Sequence, residues 1–311
     1  MKRQLYLLTI ALTITIFSYN GYTEPVVTNG LVSYWTFDRQ DIDGDTVKDV
    51  WGENDGKIVG APKVVGGQVG EALEFDGSDD YVNLTNLGDF GSQLGTSTFE
   101  AWVKTSLEEN RWTTLFKIRD ADCAMGWGID FNGWAEPPRN LPVKPEKFAD
   151  LFLRFKPNFD EKINFTKDVI RFYFTYNLGQ LGCQHFTFGR RFPISDGEWH
   201  HLVYARGTPY VDESGRELRE TAAFIDGKRI WLSRHRIEEP DNFLPFREPV
   251  YLGAGNNRGE AEAFFNGIID EVRIYNRPLT IEEVTQNFEI GLSVKATEKL
   301  PILWGALKAA P

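Results

Sequence analysis

The feature that most constrains the fold is a succession of short runs of β-branched and aromatic residues, separated by clusters of Gly, Pro, Asn and Asp. Runs such as STFEAWVKTS, VIRFYFTY and HHLVYAR have the length and composition of strands. Helical spacing is confined to one late stretch, PLTIEEVTQNF. The pattern predicts an all-β, two-sheet antiparallel sandwich with one short C-terminal helix, and a length of 311 residues favours one domain with loop insertions.

Three local signals refine this prediction. IDGKR indicates a hairpin with Asp226 and Gly227 at its bend. EALEFDGSDDYVNL is typical of a strand, a tight turn at Gly77 and a second strand. Thr280 and Glu283 form a T-x-x-E capping box, which predicts a helix start followed by a turn or two of amphipathic helix.

The first residues have the pattern of a secretory signal peptide. Lys2 and Arg3 precede an apolar run from Leu5 to Phe17, which is shorter than the roughly 20 residues that a spanning helix needs. We place the cut within residues 18–25 and divide the chain into a signal peptide (1–23), one domain (24–290) and a C-terminal tail (291–311). The protein is expected to be secreted, or otherwise extracytoplasmic, without membrane insertion.

The charge balance excludes one class of partner. The chain has 34 Lys and Arg against 45 Asp and Glu, a formal net charge of −11, and its basic residues form no block. Nucleic acid is therefore an unfavourable partner, whereas cations are favourable ones.

The chain contains two cysteines, Cys123 and Cys183. Export into an oxidising compartment favours a structural disulfide between them. The alternative is a pair of buried thiols in a reducing host.

The most acidic stretch is residues 38–56, DRQDIDGDTVKDVWGENDG, which contains six aspartates and one glutamate. Asp41, Asp43 and Asp45 place oxygen donors at alternate positions, as calcium loops do. The EF-hand template fails, because its sixth position is Thr46 and its twelfth is Gly52. The other interpretation is a solvated acidic loop.

A second signal lies in FNGIIDEVRIY, where strict alternation puts Asp270 on one face with Ile268, Val272 and Ile274. If that face is apolar, Asp270 is a buried carboxylate that must be paired, hydrogen-bonded or metal-bound. If the other face is buried, Asp270 is simply solvated. The apolar content favours the first arrangement.

Several stretches, taken in order, resemble one family. GLVSYWTFD with NDGKIVGAP, then GQVGEALEFDGSDDYVNL, then GEWHHLVYAR with FIDGKRI, and last FNGIIDEVRIYNRPLTIEEV are similar to laminin G-like jelly-roll domains of the concanavalin A-like lectin and glucanase superfamily. The resemblance covers residues 29–289. It implies two curved antiparallel sheets with the first strand near the last, and frequently a calcium ion.

The resemblance also implies which residues would hold calcium. In related domains an aspartate of the terminal strand meets carboxylates of the loop after the first strand. Carried over to this chain, the set is Asp38, Asp49, Asn54 or Asp55, and Asp270, with Asp41, Asp43 and Asp45 as a second or alternative set. Oxygen donors favour calcium over zinc, and its role would be structural.

No catalytic site is predicted. A glucanase of this fold needs paired carboxylates on one strand face, but Gly77 and Ser78 turn the chain between the pair Glu74 and Asp76 and the third carboxylate, Asp79. The resemblance implies that EFDGSDDYV is a turn whose aspartates accept backbone hydrogens. WHH at 199–201 indicates the start of a strand rather than an imidazole base, although a polysaccharide hydrolase or lyase remains the alternative.

Ligand-binding candidates are aromatic and amide side chains on predicted loops. Trp51, Trp127 and Trp134 could stack on sugar rings, Trp134 foremost because Gly and Pro flank it. Asn256, Asn257 and Arg258 offer amides and a guanidinium, although the same residues suit a plain turn. The sequence therefore predicts a noncatalytic lectin-like module that binds a glycan or an extracellular protein; a purely structural module is a further alternative.

Overall fold

The computed structural model describes residues 26–84, 87, 96–106, 112–118, 126–131, 169–177, 183–192, 194–236, 249–257 and 259–293. The described strands, in chain order, are β1 Leu31–Trp35, β2 Ile42–Asp43, β3 Thr46–Val47, β4 Gly56–Val59, β5 Lys63–Gly66, β6 Glu71–Asp76, β7 Tyr81–Asn83, β8 Ser97–Lys104, β9 Thr113–Ile118, β10 Gly126–Phe131, β11 Val169–Asn177, β12 Cys183–Arg191, β13 Trp199–Val211, β14 Glu217–Ile225, β15 Lys228–Arg236, β16 Tyr251–Leu252, β17 Gly255–Asn257, β18 Glu260–Glu262 and β19 Asn266–Tyr275. One 3-10 turn, Arg39–Asp41, and one α-helix, α1 Ile281–Ser293, complete the described elements.

Two antiparallel sheets form the sandwich. The first has the order β15-β14-β13-β8-β19-β6-β5, with β1 also paired to β19. The second has the order β12-β11-β10-β9-β16-β7-β4-β3-β2, and β17 and β18 form a separate hairpin. The predicted fold class is confirmed, and so is the implied pairing of the first strand with the last, since Leu31 lies opposite Tyr275 and Trp35 opposite Val272.

The core lies between the two sheets. Phe99 of the first sheet stacks on Phe116 of the second, with ring centroids 4.3 Å apart. Trp35, Phe75 and Phe172 are among the largest side chains that this core buries completely. Burial of apolar surface is the main stabilising term of such a sandwich, at about 25 cal/mol per Å².

A second apolar layer covers the outer face of the first sheet. Leu279 and Val284, at the start of α1, pack with Val203 and Phe224 of the sheet, and Val27 joins them from the N-terminal side. The predicted capping box is present: Thr280 N–H donates to Glu283 Oε2 (2.9 Å), and Glu283 N–H donates to Thr280 Oγ1 (3.3 Å). The helix runs 13 residues, longer than the predicted turn or two.

Strand β19 does not alternate as predicted. A bulge between Asp270 and Arg273, with Glu271 at φ 53°, shifts its register against β8. Ile269, Val272 and Ile274 consequently face the inter-sheet core, and Asp270 lies opposite Trp102 instead of sharing the face of Val272. The predicted face was therefore wrong, although the carboxylate is fully buried as expected.

The two predicted turns have different outcomes. Asp226 and Gly227, both at positive φ, form the bend between β14 and β15, as predicted. EALEFDGSDDYVNL contains two strands and a turn, but β6 joins the first sheet and β7 the second. The turn therefore carries the chain from one sheet to the other.

The predicted signal peptide lies outside the described residues, as does all of the predicted tail beyond Ser293. Within the described part of the chain, α1 is too short to span a bilayer, and no other helix has the length and apolarity to do so.

Candidate binding surface and buried charge networks

The acidic loop is organised around the buried carboxylate of Asp49. Its Oδ1 accepts the N–H groups of Tyr34 (2.9 Å), Trp51 (3.1 Å) and Gly52 (2.8 Å), and its Oδ2 accepts that of Asn54 (3.2 Å). Four backbone donors therefore point at this one carboxylate. Asp49 therefore folds residues 49–54 into a turn.

Neighbouring side chains fasten this turn to β1. Asn54 Nδ2 donates to Ser33 Oγ (2.8 Å), and Trp35 Nε1 donates to the carbonyl of Asn54 (3.0 Å). Asp55 Oδ1 accepts the N–H of Asp49 (2.8 Å). The structure thus brings Asp49, Asn54 and Asp55 together through hydrogen bonds to one another and to β1.

Asp38 and Asp270 contact a different segment, residues 67–71, which leads into β6. Asp38 Oδ1 accepts the N–H of Glu71 (2.7 Å), and Asp270 Oδ2 accepts that of Val69 (2.9 Å). A Cβ at Gly67 would lie 2.5 Å from Asp270 Oδ2, so only glycine allows this approach. Both carboxylates are buried, at 4% and 0% exposure, so residues 67–71 contact one aspartate from the loop after β1 and one from β19.

The remaining nominated aspartates have separate surroundings. Asp41 Oδ2 accepts the hydroxyl of Thr36 (2.7 Å), Asp45 forms an exposed ion pair with Lys57 (3.1 Å), and Asp43 is exposed in β2. Among the described residues, three or more His, Cys, Asp or Glu ligand atoms come within 4.8 Å of one another only at Asp76, Asp79 and Asp80. The nominated residues Asp38, Asp49, Asp55 and Asp270 are described and form no such group, and Asp49 accepts four backbone N–H groups.

The turn that contains Asp76, Asp79 and Asp80 is built by its own carboxylates. Asp80 Oδ1 accepts the N–H of Ala61 (2.7 Å) and its Oδ2 accepts that of Asp76 (3.0 Å), while Asp76 Oδ1 accepts that of Ser78 (2.7 Å). Backbone amides are therefore the partners of Asp76 and Asp80. Sequence reasoning anticipated this role.

Sequence reasoning missed a buried charge network that lies between α1 and the first sheet. Arg273 Nη1 donates to Glu100 Oε1 (2.7 Å), and its Nη2 donates to the hydroxyl of Tyr34 (2.9 Å) and to Glu271. Asn287 Nδ2 reaches both oxygens of Glu100 (3.0 Å each). The buried arginine beside two carboxylates joins β1, β8, β19 and the helix at one point.

The pKa of Glu100 shows that its partners in this network stabilise the charged carboxylate. Burial alone would raise its pKa, but the His201 ring at 3.7 Å and the guanidinium of Arg273 outweigh burial and lower the pKa to about 2. Burial likewise raises the pKa of the Tyr34 hydroxyl, so that it stays protonated and donates to Glu271. These groups are buried and pair with one another inside the fold.

His200, the partly buried neighbour of His201, connects two loops. Its Nδ1 lies 2.9 Å from Asp226 Oδ2, and its Nε2 lies 3.2 Å from Asp196 Oδ1. The contact with Asp226, with a smaller one from Asp196, raises the pKa of the ring against the effect of burial. Since both nitrogens are engaged, the ring ties the loop before β13 to the bend after β14.

The predicted ligand residues near the carboxyl end fall in the β17–β18 hairpin. Asn256 is buried; its Nδ2 donates to the carbonyl of Pro249 and its Oδ1 accepts the N–H of Gly259 (2.7 Å), so its amide shapes the hairpin. Asn257 is exposed. Arg258, Trp134 and Cys123 lie outside the described residues, and Cys183 and Trp127 are described only as backbone of β12 and β10, so the disulfide stays a prediction.

Three solved structures illustrate the shared fold. The binding domain of Botulinum neurotoxin DC in complex with rat synaptotagmin II matches with a TM-score of 0.52 at 10% identity, over 85% of this chain and 52% of that one. The same toxin domain in complex with SialylT gives 0.51 at 10% identity over the same shares. The binding domain of Paraclostridial Mosquitocidal Protein 1 gives 0.51 at 15% identity, over 84% and 52%.

The chain therefore spans about half the length of each of these binding domains. Comparison with curated protein sequences found no match. A family model, described as Concanavalin A-like lectin/glucanases superfamily, matches residues 151–285. Over residues 151–285 the resemblance noted in the sequence is thus confirmed as a match to the concanavalin A-like lectin and glucanase superfamily.

Proposed function

We propose that this protein is an exported, noncatalytic module that binds carbohydrate through its loops and is stabilised by calcium. The observation that carries the noncatalytic part is the Asp76–Asp80 turn. Among the described residues, three carboxylates come close together only in this turn. Two of them, Asp76 and Asp80, accept hydrogen bonds from backbone N–H groups. A glycoside hydrolase needs two carboxylates that face its substrate with distinct proton affinities.

The buried carboxylates support the same proposal. Glu100 and Glu271 form ion pairs with Arg273, and Asp49 accepts backbone N–H groups. All three carboxylates bind other groups of the protein, so none of them is placed to protonate or attack a substrate. Binding surfaces, in contrast, use loops on a rigid scaffold, and the sandwich supplies such loops.

The enzymatic alternative is tested by turnover. Incubating the purified protein with a panel of polysaccharides should release no reducing ends or unsaturated products, whereas immobilised glycans should retain it. Turnover that Glu74→Gln abolishes would establish a hydrolase or lyase instead, and retention by protein ligands but by no glycan would remove the carbohydrate assignment.

The calcium part rests on Asp38 and Asp270. Both carboxylates are buried, each accepts a backbone N–H from residues 69–71, and carboxylate oxygens are donors that calcium prefers. Chelation should lower the melting temperature, calcium should restore it and magnesium should not. In Asp38→Asn the calcium response should shrink, while Asp43→Asn, at an exposed position, should keep it; an unchanged melting temperature in chelator contradicts the proposal.

A further inference from the structure

Trp51 is the one aromatic among the large hydrophobic side chains that the described residues leave exposed, at 38%; the others, Val211, Ile281 and Leu292, are aliphatic. It lies in the turn 49–54 that Asp49 organises. Tryptophan is highly buried on average, so a partly exposed indole is a candidate contact surface.

The ring is held in a fixed orientation. Trp51 Nε1 donates to the carbonyl of Leu31 in β1 (2.9 Å), and Trp51 N–H donates to Asp49 Oδ1. The next residue must be glycine, since a Cβ at Gly52 would collide with the carbonyl oxygen of Val32. The indole is thus preorganised, and a ligand that covers it immobilises no flexible loop.

The exposed face of an indole carries partial negative charge and attracts polarised C–H bonds. The apolar face of a pyranose presents such bonds, with hydroxyl groups around its rim. Glu53 and Asp55, in the same segment as Trp51, are exposed, so their carboxylates can accept hydrogen bonds from a ligand. A sugar is recognised by a flat ring together with such polar acceptors.

Charge narrows the choice of sugar. Residues 38–56 contain seven acidic side chains against Arg39 and Lys48. Glu53 is exposed and lies two positions after Trp51 in the sequence, a separation comparable with the Debye length of about 8 Å. Carboxylated, sialylated or sulfated sugars are therefore repelled, whereas hydroxyl and amino groups are accepted.

We propose that Trp51 is the stacking platform of a glycan site that takes neutral sugars and amino sugars and rejects anionic ones. The proposal rests on the carbohydrate-binding function proposed above and adds its location and its charge preference.

The test measures binding of the full chain to a panel of neutral, amino and sialylated or uronic glycans. Trp51→Ala should weaken binding about tenfold or more, Trp51→Phe should retain part of it, and Ile281→Ala, which removes an equally exposed apolar side chain, should change nothing. Glu53→Lys should admit anionic glycans. Circular dichroism and melting temperatures show whether the variants remain folded.

The outcomes separate the two proposals. Glycan binding that Trp51→Ala leaves intact overturns the site while the function stands. Equal binding of sialylated and neutral glycans by the unaltered protein overturns the charge preference. Failure of every glycan to bind overturns both the site and the carbohydrate-binding function.

Discussion

Arg273 connects more of the molecule than any other residue described above. Its guanidinium pairs with Glu100 and Glu271, donates to Tyr34 and lies 4.3 Å from the centre of that tyrosine ring. Replacing such a network by apolar residues can be neutral, but removing one partner leaves a buried charge unpaired. Single substitutions of the residues in this network should therefore destabilise the protein.

Glu100→Gln tests this expectation. The change leaves Arg273 short of one counter-charge, and we expect a loss of about 3 kcal/mol or more in the free energy of unfolding, measured by chemical denaturation. Glu220→Gln, which breaks the partly exposed pair with Arg234, should cost less than about 1 kcal/mol. Equal losses in the two variants contradict the role assigned to the network.

His200 should make stability depend on pH. Because Asp226, and then Asp196, raise the pKa of the ring above its ordinary 6.5, the stabilisation is fully present below pH 6.5 and is lost as pH rises through the higher folded value. The free energy of unfolding should therefore fall between mild acid and mild alkali, by about 1 kcal/mol or less.

His200→Gln should flatten this part of the profile when denaturation is repeated across the pH range. A variant that keeps the full slope of the unaltered protein shows that another group carries it.

At the scale of elements, α1 shows where local sequence signals succeed and where they fail. Its start follows from Thr280 and Glu283, because a capping box is a local interaction. Its end is not readable from the sequence, because Gly291 suggests a helix stop. In the structure that glycine lies within the helix, where a Cβ would be 2.5 Å from Trp102 Nε1, so it serves close packing.

Gly291→Ala should consequently destabilise the protein. In an open helix position the change gains about 1 kcal/mol, but here the added methyl pushes against the indole of Trp102 and should cost about 1–3 kcal/mol. Glu289→Ala, at an exposed position of the same helix, should be neutral or slightly stabilising. A stabilised Gly291→Ala protein contradicts the packing described.

Strand β19 gives the complementary lesson. Its existence and the burial of Asp270 follow from the sequence, but a bulge cannot be seen in an alternating pattern, because the extra residue depends on the pairing with β8. Glu100 is hidden from sequence reasoning for a similar reason: its cover is a helix that lies about 180 residues further along the chain. Sequence-local patterns predict elements, and long-range packing decides which faces they bury.

At the scale of the whole molecule, the two ends of the described chain are built into one layer. Val27 N–H donates to Asn287 Oδ1 (2.9 Å), and the Nδ2 of the same amide donates to Glu100 and to the hydroxyl of Tyr275 (3.0 Å each). The outer layer of the first sheet thus depends on residues 26–35 and on α1 together. The sandwich follows from the succession of strands, whereas this closure requires the structure.

Asn287→Ala should loosen both ends at once. In hydrogen exchange followed by mass spectrometry, we expect faster exchange in peptides covering residues 26–35 and 281–293, with little change in β9. Glu289→Ala should alter neither end. Faster exchange in the helix alone shows that the N-terminal segment is held independently.

The pairing of β1 with β19 also decides how the protein responds to mechanical load. Leu31, where β1 begins, lies opposite Tyr275, where β19 ends, so both described ends leave the sheet beside the same rung of the ladder. Tension between those ends would peel the strands apart one rung at a time, with the amide of Val27 released first, and would not shear the whole ladder simultaneously. A tethered copy should therefore yield at low force, shedding its helix and first strand while the remainder of the sandwich stays intact.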